Sequence, residues 1–189
     1  MNFDHKKVPE IIQQVPTDKL LLIDWDIHSR PEYSYVRQDF GQPVYDSLVE
    51  NIDLVRKYER FIYLYPEFTY HPKTSQSYFT KFLDDQQLNG FVMTNYKDFK
   101  AIKGDLYLLV SDRTLARFLD QCSEKKLEPG VDIGVISYNE TPMKKYVKNG
   151  ITVLSTDFEL LGKKAAEFVR TGQPMKYTVP TRLILRNST

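Results

Sequence analysis

Short polar side chains that directly follow apolar runs are the residues best suited to hold a small molecule in this chain. Asp24 follows LLLI, Ser111 follows DLYLLV, and Asn139 follows GVISY. Carboxylate, hydroxyl and amide groups of this kind form hydrogen bonds with ligand hydroxyl groups. Apolar runs this short are typical of strands buried on both faces of a parallel sheet, and ligands of such sheets bind outside the carboxyl ends of the strands. The pattern therefore predicts a binding site at that edge.

Each polar residue of this kind also has a purely structural interpretation. Asp112 and Asp157 stand at predicted helix starts, where an N-cap role is the commoner explanation. Asn139 precedes Pro142 and is equally compatible with a turn or with a ligand contact. Asp24 also leaves a strand, and for this residue the ligand interpretation is favoured.

The sequence lacks the motifs of common catalytic sites. There is no GxGxxG, GxxxxGK[ST], HExxH or GxSxG, and the three histidines are scattered. The single cysteine, Cys122, falls in a predicted helix and is interpreted as a packing residue. No acid/base pair with a nucleophile can be assembled, so we expect binding without catalysis, no cofactor and no metal.

Charge and hydropathy narrow the class of protein further. The 26 basic and 25 acidic residues give a net charge of +1, which argues against a dedicated nucleic-acid surface in this chain. No apolar run approaches the roughly 20 residues that span a bilayer. The N-terminus is polar, and a lone cysteine is typical of a reducing compartment. We therefore expect a cytoplasmic protein with no membrane partner.

Strands and helices alternate through nearly the whole sequence. This order predicts an α/β fold with right-handed βαβ units and a mostly parallel sheet. The predicted strands are 20–23, 33–36, 61–65, 90–93, 105–110, 131–136, 151–154 and 179–185, and the predicted helices are 7–15, 42–58, 75–87, 113–124, 142–148 and 157–170.

Three segments resemble the effector-binding domain of LacI/GalR transcription regulators, which has a fold of the periplasmic-binding-protein type I class. They are VDIGVISYNE (131–140), GITVLSTDFELLGKKAAEFV (150–169) and VPTRLILRNST (179–189). Weaker similarity covers VSDRTLARFL (110–119), LLLID (20–24) and VRQDFG (36–41). The resemblance extends over nearly the whole chain and is densest after residue 130.

The resemblance implies three-layer lobes of parallel sheet, with an incomplete N-terminal lobe. It assigns 1–38 to a remnant of that lobe and 39–155 to the C-terminal lobe. Residues 156–176 would return to the first lobe, and 177–189 would form a strand and tail of the second. The DNA-binding domain would lie outside this chain, either as a LacI-type helix-turn-helix or as a GntR-type winged helix.

The resemblance also suggests which residues contact a ligand. Asp24, Ser111 and Asn139 would bind hydroxyl groups, and Phe158 would form an aromatic wall. Tyr35 and Tyr96 fall near other lining positions. Ser75 and Gln76 occupy the neighbourhood in which the family often has an arginine that faces a sugar.

These expectations describe a sensor for a sugar or sugar derivative that binds between two lobes. Ligand binding would change the conformation of the lobes. This change would pass through a homodimer interface to a DNA-binding domain absent from this chain. One alternative is a periplasmic sugar-binding protein for uptake. Another is a small α/β enzyme, such as a hydrolase or isomerase that uses Asp24 or Asp26.

Overall fold

The computed structural model describes residues 8–24, 32–95 and 97–189. Strands and helices alternate along the chain, as predicted, and short 3-10 helices occur at Thr17–Lys19 and Val147–Asn149. The elements are α1 (Val8–Ile12), β1 (Leu21–Asp24), β2 (Ser34–Gln38), α2 (Gln42–Glu50), α3 (Ile52–Val55), β3 (Arg60–Leu64), α4 (Thr74–Gln86), β4 (Gly90–Met93), β5 (Asp105–Leu109), α5 (Asp112–Lys125), β6 (Gly134–Tyr138), β7 (Thr152–Thr156), α6 (Phe158–Thr171), β8 (Lys176–Val179) and β9 (Thr181–Ile184).

The chain divides into two compact units. The smaller unit contains residues 1–39 and 156–180, and the larger unit contains 40–155 and 181–189. The predicted boundary at 176/177 is displaced to 180/181. The reason is that β8 pairs with β2 in the smaller unit, whereas β9 belongs to the sheet of the larger unit.

The larger unit is built on a six-stranded sheet with the order β4-β3-β5-β6-β7-β9. The pairs that join β4, β3, β5, β6 and β7 are all parallel. Alternate residues of β6 enter different cores: Ile136 packs with residues of α2 and α4, and Val135 packs with residues of α5. Both faces of the sheet are therefore covered, as the short apolar runs predicted.

Cys122 is fully buried in the core on the α5 face. Burial raises the pKa of its thiol to about 11, because the thiolate would lose its hydration. The interpretation of Cys122 as a packing residue is confirmed.

The smaller unit contains a three-stranded parallel sheet with the order β1-β2-β8. Helix α6 packs against these three strands. Its ends are set locally: Asp157 Oδ1 accepts a hydrogen bond of 2.9 Å from the Leu160 amide, and Gly172 takes a left-handed conformation at the C-terminus. The prediction of an Asp157 cap is confirmed.

Two predicted helices differ from the structure. The 42–58 helix breaks at Asn51, whose side-chain amide donates a 2.8 Å hydrogen bond to the Ser47 carbonyl and competes with the helical pattern. The predicted helix 142–148 is a series of turns followed by the 3-10 helix Val147–Asn149.

Two predicted strands also differ. Predicted strand 131–136 begins later, at Gly134, because residues 128–132 form a turn in which Val131 and Asp132 donate to the Glu128 carbonyl. The predicted strand 179–185 is two strands, β8 and β9, separated by Pro180. Proline has no N–H to donate to a ladder.

Among the residues that the structure describes, every helix is too short or too polar to span a lipid bilayer.

Candidate functional site

The carboxyl ends of β3, β5 and β6 lie at one edge of the larger sheet, because these strands are parallel. We call this edge the carboxyl rim and define it as the residues that follow the three strands, 65–76, 110–114 and 139–144. It contains four of the predicted site residues: Ser75, Gln76, Ser111 and Asn139. The carboxyl rim is therefore the region of the larger unit where these predicted ligand contacts would occur.

Asn139 is held in a left-handed conformation directly after β6, with φ of 61°. Its backbone N–H donates a 2.8 Å hydrogen bond to the Leu154 carbonyl, and its backbone carbonyl accepts a 2.7 Å hydrogen bond from Lys144 Nζ. Asparagine tolerates this conformation better than most residues. The side-chain oxygen Oδ1 is buried and has no hydrogen-bond partner in the structure. Asn139 therefore has a fixed backbone and one unused acceptor.

Lys144 fixes that backbone, and it is not among the site residues predicted from the sequence. Its side chain is almost fully buried, and Nζ donates to the carbonyls of Tyr138 at 2.9 Å and Asn139 at 2.7 Å. It also forms an ion pair of 2.9 Å with Asp112 at the start of α5. These contacts match the three N–H groups of an ammonium. Lys144 thus joins the end of β6 to the start of α5.

Ser111 caps helix α5. Its Oγ accepts a 3.2 Å hydrogen bond from the Thr114 amide and lies 2.7 Å from the Thr114 hydroxyl. The prediction that Asp112 caps this helix is wrong, because Asp112 is its first residue and its carboxylate pairs with Lys144. The ligand role of Ser111 stays a prediction, and any such contact would share an oxygen that already serves the helix.

Ser75 and Gln76 have different surroundings at the start of α4. Ser75 is fully buried, donates a 2.8 Å hydrogen bond to the Pro72 carbonyl and lies 2.9 Å from the Tyr63 hydroxyl. Gln76 is partly exposed and hydrogen-bonds the Tyr65 hydroxyl. Ser75 therefore serves the local fold, while Gln76 is open to further contacts.

His71 lies in the loop after β3 and packs among aromatic rings. We call Phe40, Tyr65, His71 and Tyr138 the aromatic cluster. The His71 ring meets Tyr138 edge-on with centroids 4.4 Å apart, and it meets Phe40 at 5.1 Å and Tyr65 at 6.1 Å. Its Nε2 is buried and has no hydrogen-bond partner among the described residues, and burial lowers the pKa of the imidazole to about 4. In the sequence, His71 is only one of three scattered histidines.

In the smaller unit, Asp24 ends β1 with φ of 77°. The Gln38 side-chain amide donates to Asp24 Oδ1, and Thr156 Oγ1 donates a 2.7 Å hydrogen bond to Gln38 Oε1. These bonds link Asp24, Gln38 and Thr156, which all lie in the smaller unit. Asp24 is therefore oriented by neighbouring side chains, and its ligand role stays a prediction.

The aromatic candidates of the smaller unit are Tyr35 and Phe158. Tyr35 lies within β2, and the guanidinium of Arg37 lies 4.7 Å from its ring centroid. Phe158 is the first residue of α6 and is 40% exposed, so its ring is available for contact. Tyr96 and Asp26 lie outside the described residues.

A concave region lies between α5 and residues 97–100, with a volume of about 750 Å³. Gln121 bonds the Phe99 carbonyl at 2.9 Å and the Ala101 amide at 2.8 Å, and Lys125 donates to the Ala101 carbonyl at 2.7 Å. These contacts attach the segment to the helix, so the groove has a structural explanation. Over the described ranges, 8–24, 32–95 and 97–189, no group of three His, Cys, Asp or Glu side chains could hold a metal ion.

Comparison with known families identifies the fold. Residues 55–189 match the model of the periplasmic binding protein-like domain. The chain belongs to this family. No curated sequence matches it. The predicted α/β fold of the periplasmic-binding-protein type I class is confirmed.

Solved structures of LacI-family regulators share this fold. The trehalose repressor from Escherichia coli has 14% identity and a TM-score of 0.75, with 95% of this chain and 74% of that chain covered. A LacI-family regulator from Arthrobacter sp. FB24, in complex with lactose, has 16% identity and a TM-score of 0.74, with 97% and 76% covered. A LacI regulator from Lactobacillus casei with bound Tris has 15% identity and a TM-score of 0.69, with 96% and 73% covered.

Proposed function

We propose that this chain is the ligand-sensing domain of a transcription regulator and binds a sugar or a related polyol. The observation that carries the proposal concerns Asn139. Its buried Oδ1 has no hydrogen-bond partner in the part of the chain that the structure describes, and Lys144 fixes the surrounding backbone. A buried acceptor without a partner costs about 1–3 kcal/mol, and a ligand hydroxyl would recover that cost. Similarity to regulators described with lactose and with Tris, both rich in hydroxyl groups, supports the same ligand class.

The proposed mechanism requires no covalent chemistry. Amide and hydroxyl groups of the carboxyl rim hold the ligand, and aromatic rings cover its apolar face. The ligand favours one conformation because it has a higher affinity for that conformation. The change would act through a homodimer on a DNA-binding domain outside this chain, in the cytoplasm. We favour a LacI-type over a GntR-type DNA-binding domain, because the compared structures are LacI-family regulators.

Sugar uptake is a second candidate function, and the description of the matching family as periplasmic binding protein-like favours it. It makes the same prediction for the carboxyl rim, but it requires export and a partner in transport. Binding of the full-length protein to an operator in the presence and absence of ligand separates the two functions. The enzyme alternative predicts turnover of a bound sugar, which chromatography of the incubated ligand would detect.

Isothermal titration calorimetry against a panel of mono- and disaccharides, lactose included, tests the proposal directly. The informative variant is Asn139→Gly, because glycine keeps the left-handed backbone and removes only the side chain. We expect it to weaken binding at least tenfold, which is about 1.4 kcal/mol.

Asn149→Gly is the matched control. Asn149 also has φ of 61°, but it is exposed and lies outside the carboxyl rim. The substitution Asn149→Gly should leave the affinity for the sugar unchanged. Absence of heat from every sugar, or equal effects of the two variants, would count against the proposal.

A further inference from the structure

We infer that His71 is a specificity-determining residue of this site, at which its Nε2 forms a hydrogen bond with a ligand hydroxyl and favours an uncharged polyol over the phosphorylated form of the same sugar. This inference rests on the proposed function and deepens it by naming the ligand class. It uses a residue that neither motif nor spacing singled out in the sequence.

The packing around His71 fixes the plane of its ring. His71 contacts Tyr138 at 4.4 Å between ring centroids, with an angle of 72° between the ring planes, and Phe40 at 5.1 Å and 89°. The Tyr65 hydroxyl donates to the His71 carbonyl and so restrains the backbone. Rings packed edge to face on separate segments restrict the plane of the imidazole. The plane that contains Nε2 is therefore set before any ligand arrives.

Two polar atoms of the carboxyl rim have unused hydrogen-bonding capacity. His71 Nε2 and Asn139 Oδ1 are both buried and have no hydrogen-bond partner among the described residues. Both residues belong to the carboxyl rim, and the His71 ring contacts Tyr138, the residue before Asn139. While it is unpaired, each of these atoms destabilises the folded chain. One polyhydroxylated ligand at this position would satisfy both.

The described cations of the rim are either paired or exposed. Lys144, its one deeply buried cation among the described residues, pairs with Asp112, and the Glu140 carboxylate pairs with Arg186. Lys73 is exposed before α4, and Arg113 is exposed with its guanidinium beside the Phe68 ring. Charges in water attract an anion only weakly. A phosphate placed beside the aromatic cluster would lose hydration without a dedicated cation, which is costly.

The protonation state of His71 agrees with this picture. Burial lowers the pKa of the imidazole to about 4, so the ring is neutral at pH 7. The titratable side chains that contact it are Tyr65 and Tyr138. Burial raises the pKa of Tyr65, which keeps its hydroxyl neutral as well. The aromatic cluster thus presents hydrogen-bonding groups but no positive charge.

Calorimetry of the full chain with matched probe pairs tests the inference. The pairs are glucose with glucose 6-phosphate, galactose with galactose 6-phosphate, and ribose with ribose 5-phosphate. We expect the neutral member of whichever pair binds to bind at least tenfold more tightly. A sugar phosphate that binds more tightly than its neutral partner would overturn the inference and leave the proposed function intact.

Three substitutions test whether His71 Nε2 is the atom that forms a hydrogen bond with the ligand. His71→Phe keeps a ring and removes both nitrogens, and it should weaken binding of the neutral sugar at least tenfold. His71→Gln can place an amide near the position of Nε2 and should restore most of the affinity. His71→Asn reaches only the position of Nδ1 and should not restore it.

The outcomes separate the two proposals. Unchanged affinity in His71→Phe, or equal rescue by Gln and Asn, overturns the role of His71 while sugar sensing stands. If no member of any pair binds and the disaccharides of the first panel also give no heat, the proposed function itself is overturned. If His71→Phe fails to fold, the comparison of His71→Gln with His71→Asn still decides, since both are polar and small.

Discussion

Acid should destabilise this chain through His71, and the size of the effect follows from its environment. Burial lowers the pKa of the folded imidazole to about 4, while an unfolded chain has the usual value of 6.5. Between these values the unfolded state binds a proton that the folded state does not. Stability is therefore complete above pH 6.5 and falls as the pH decreases toward 4. The loss attributable to His71 is about 2 kcal/mol at pH 5 and about 3 kcal/mol at pH 4.

The substitution His71→Phe isolates this contribution. Phenylalanine keeps an aromatic ring among Phe40, Tyr65 and Tyr138 and has no group to protonate. Protonation of ion-paired carboxylates, such as Glu167 beside Lys164, also destabilises the folded chain in acid, but it does so equally in both proteins. The difference between the two proteins therefore reports the imidazole alone.

Urea unfolding at intervals between pH 4 and pH 8 measures that difference. We expect the free energy of unfolding of the wild-type chain to fall relative to His71→Phe by about 2 kcal/mol between pH 8 and pH 5. Parallel curves for the two proteins over this range would refute the reasoning, since they would show that the imidazole titrates alike in the folded and unfolded states.

The remaining predictions concern two buried charges. Asp105→Asn should cost about 3 kcal/mol in urea unfolding, because Asp105 is fully buried and accepts two hydrogen bonds from Arg60, at 2.8 and 2.6 Å. Adding Arg60→Met should cost less than the two single changes summed; additive effects would contradict the pairing. Lys144→Met should cost about 2 kcal/mol by removing the donor from two carbonyls. Lys145→Met, at the exposed neighbouring position, should change stability by less than about 0.5 kcal/mol, and equal losses would rule out the role of Lys144.

The elements that the sequence predicts well are those fixed by local chemistry. Strand β4 occupies the predicted residues 90–93, and Asp157 caps α6 as predicted. Predictions failed where local signals conflict. The apolar periodicity of 42–58 continues past Asn51, but the bond from its side chain to the Ser47 carbonyl ends the helix there. Apolar content placed Val131 in a strand, yet this residue is 81% exposed in a turn.

The candidate site was predictable only in part. Asn139 was identified because it follows a buried strand, and the rule about strand ends needs no knowledge of tertiary structure. His71 and Lys144 could not be identified in that way. The surroundings of His71 include Phe40 and Tyr138, which are distant in the chain. The acceptors of Lys144 are backbone carbonyls, which carry no sequence signal.

The pairing of β2 with β8 has a consequence for synthesis of the protein. Tyr35 is in register with Lys176, so β2 gains this neighbour only after most of the chain has left the ribosome. Until then the apolar side chains of Leu22 and Val36, buried in the finished molecule, have no complete core to enter. We expect the early segment to depend on chaperones during translation, and expression of 1–175 alone to yield aggregated protein.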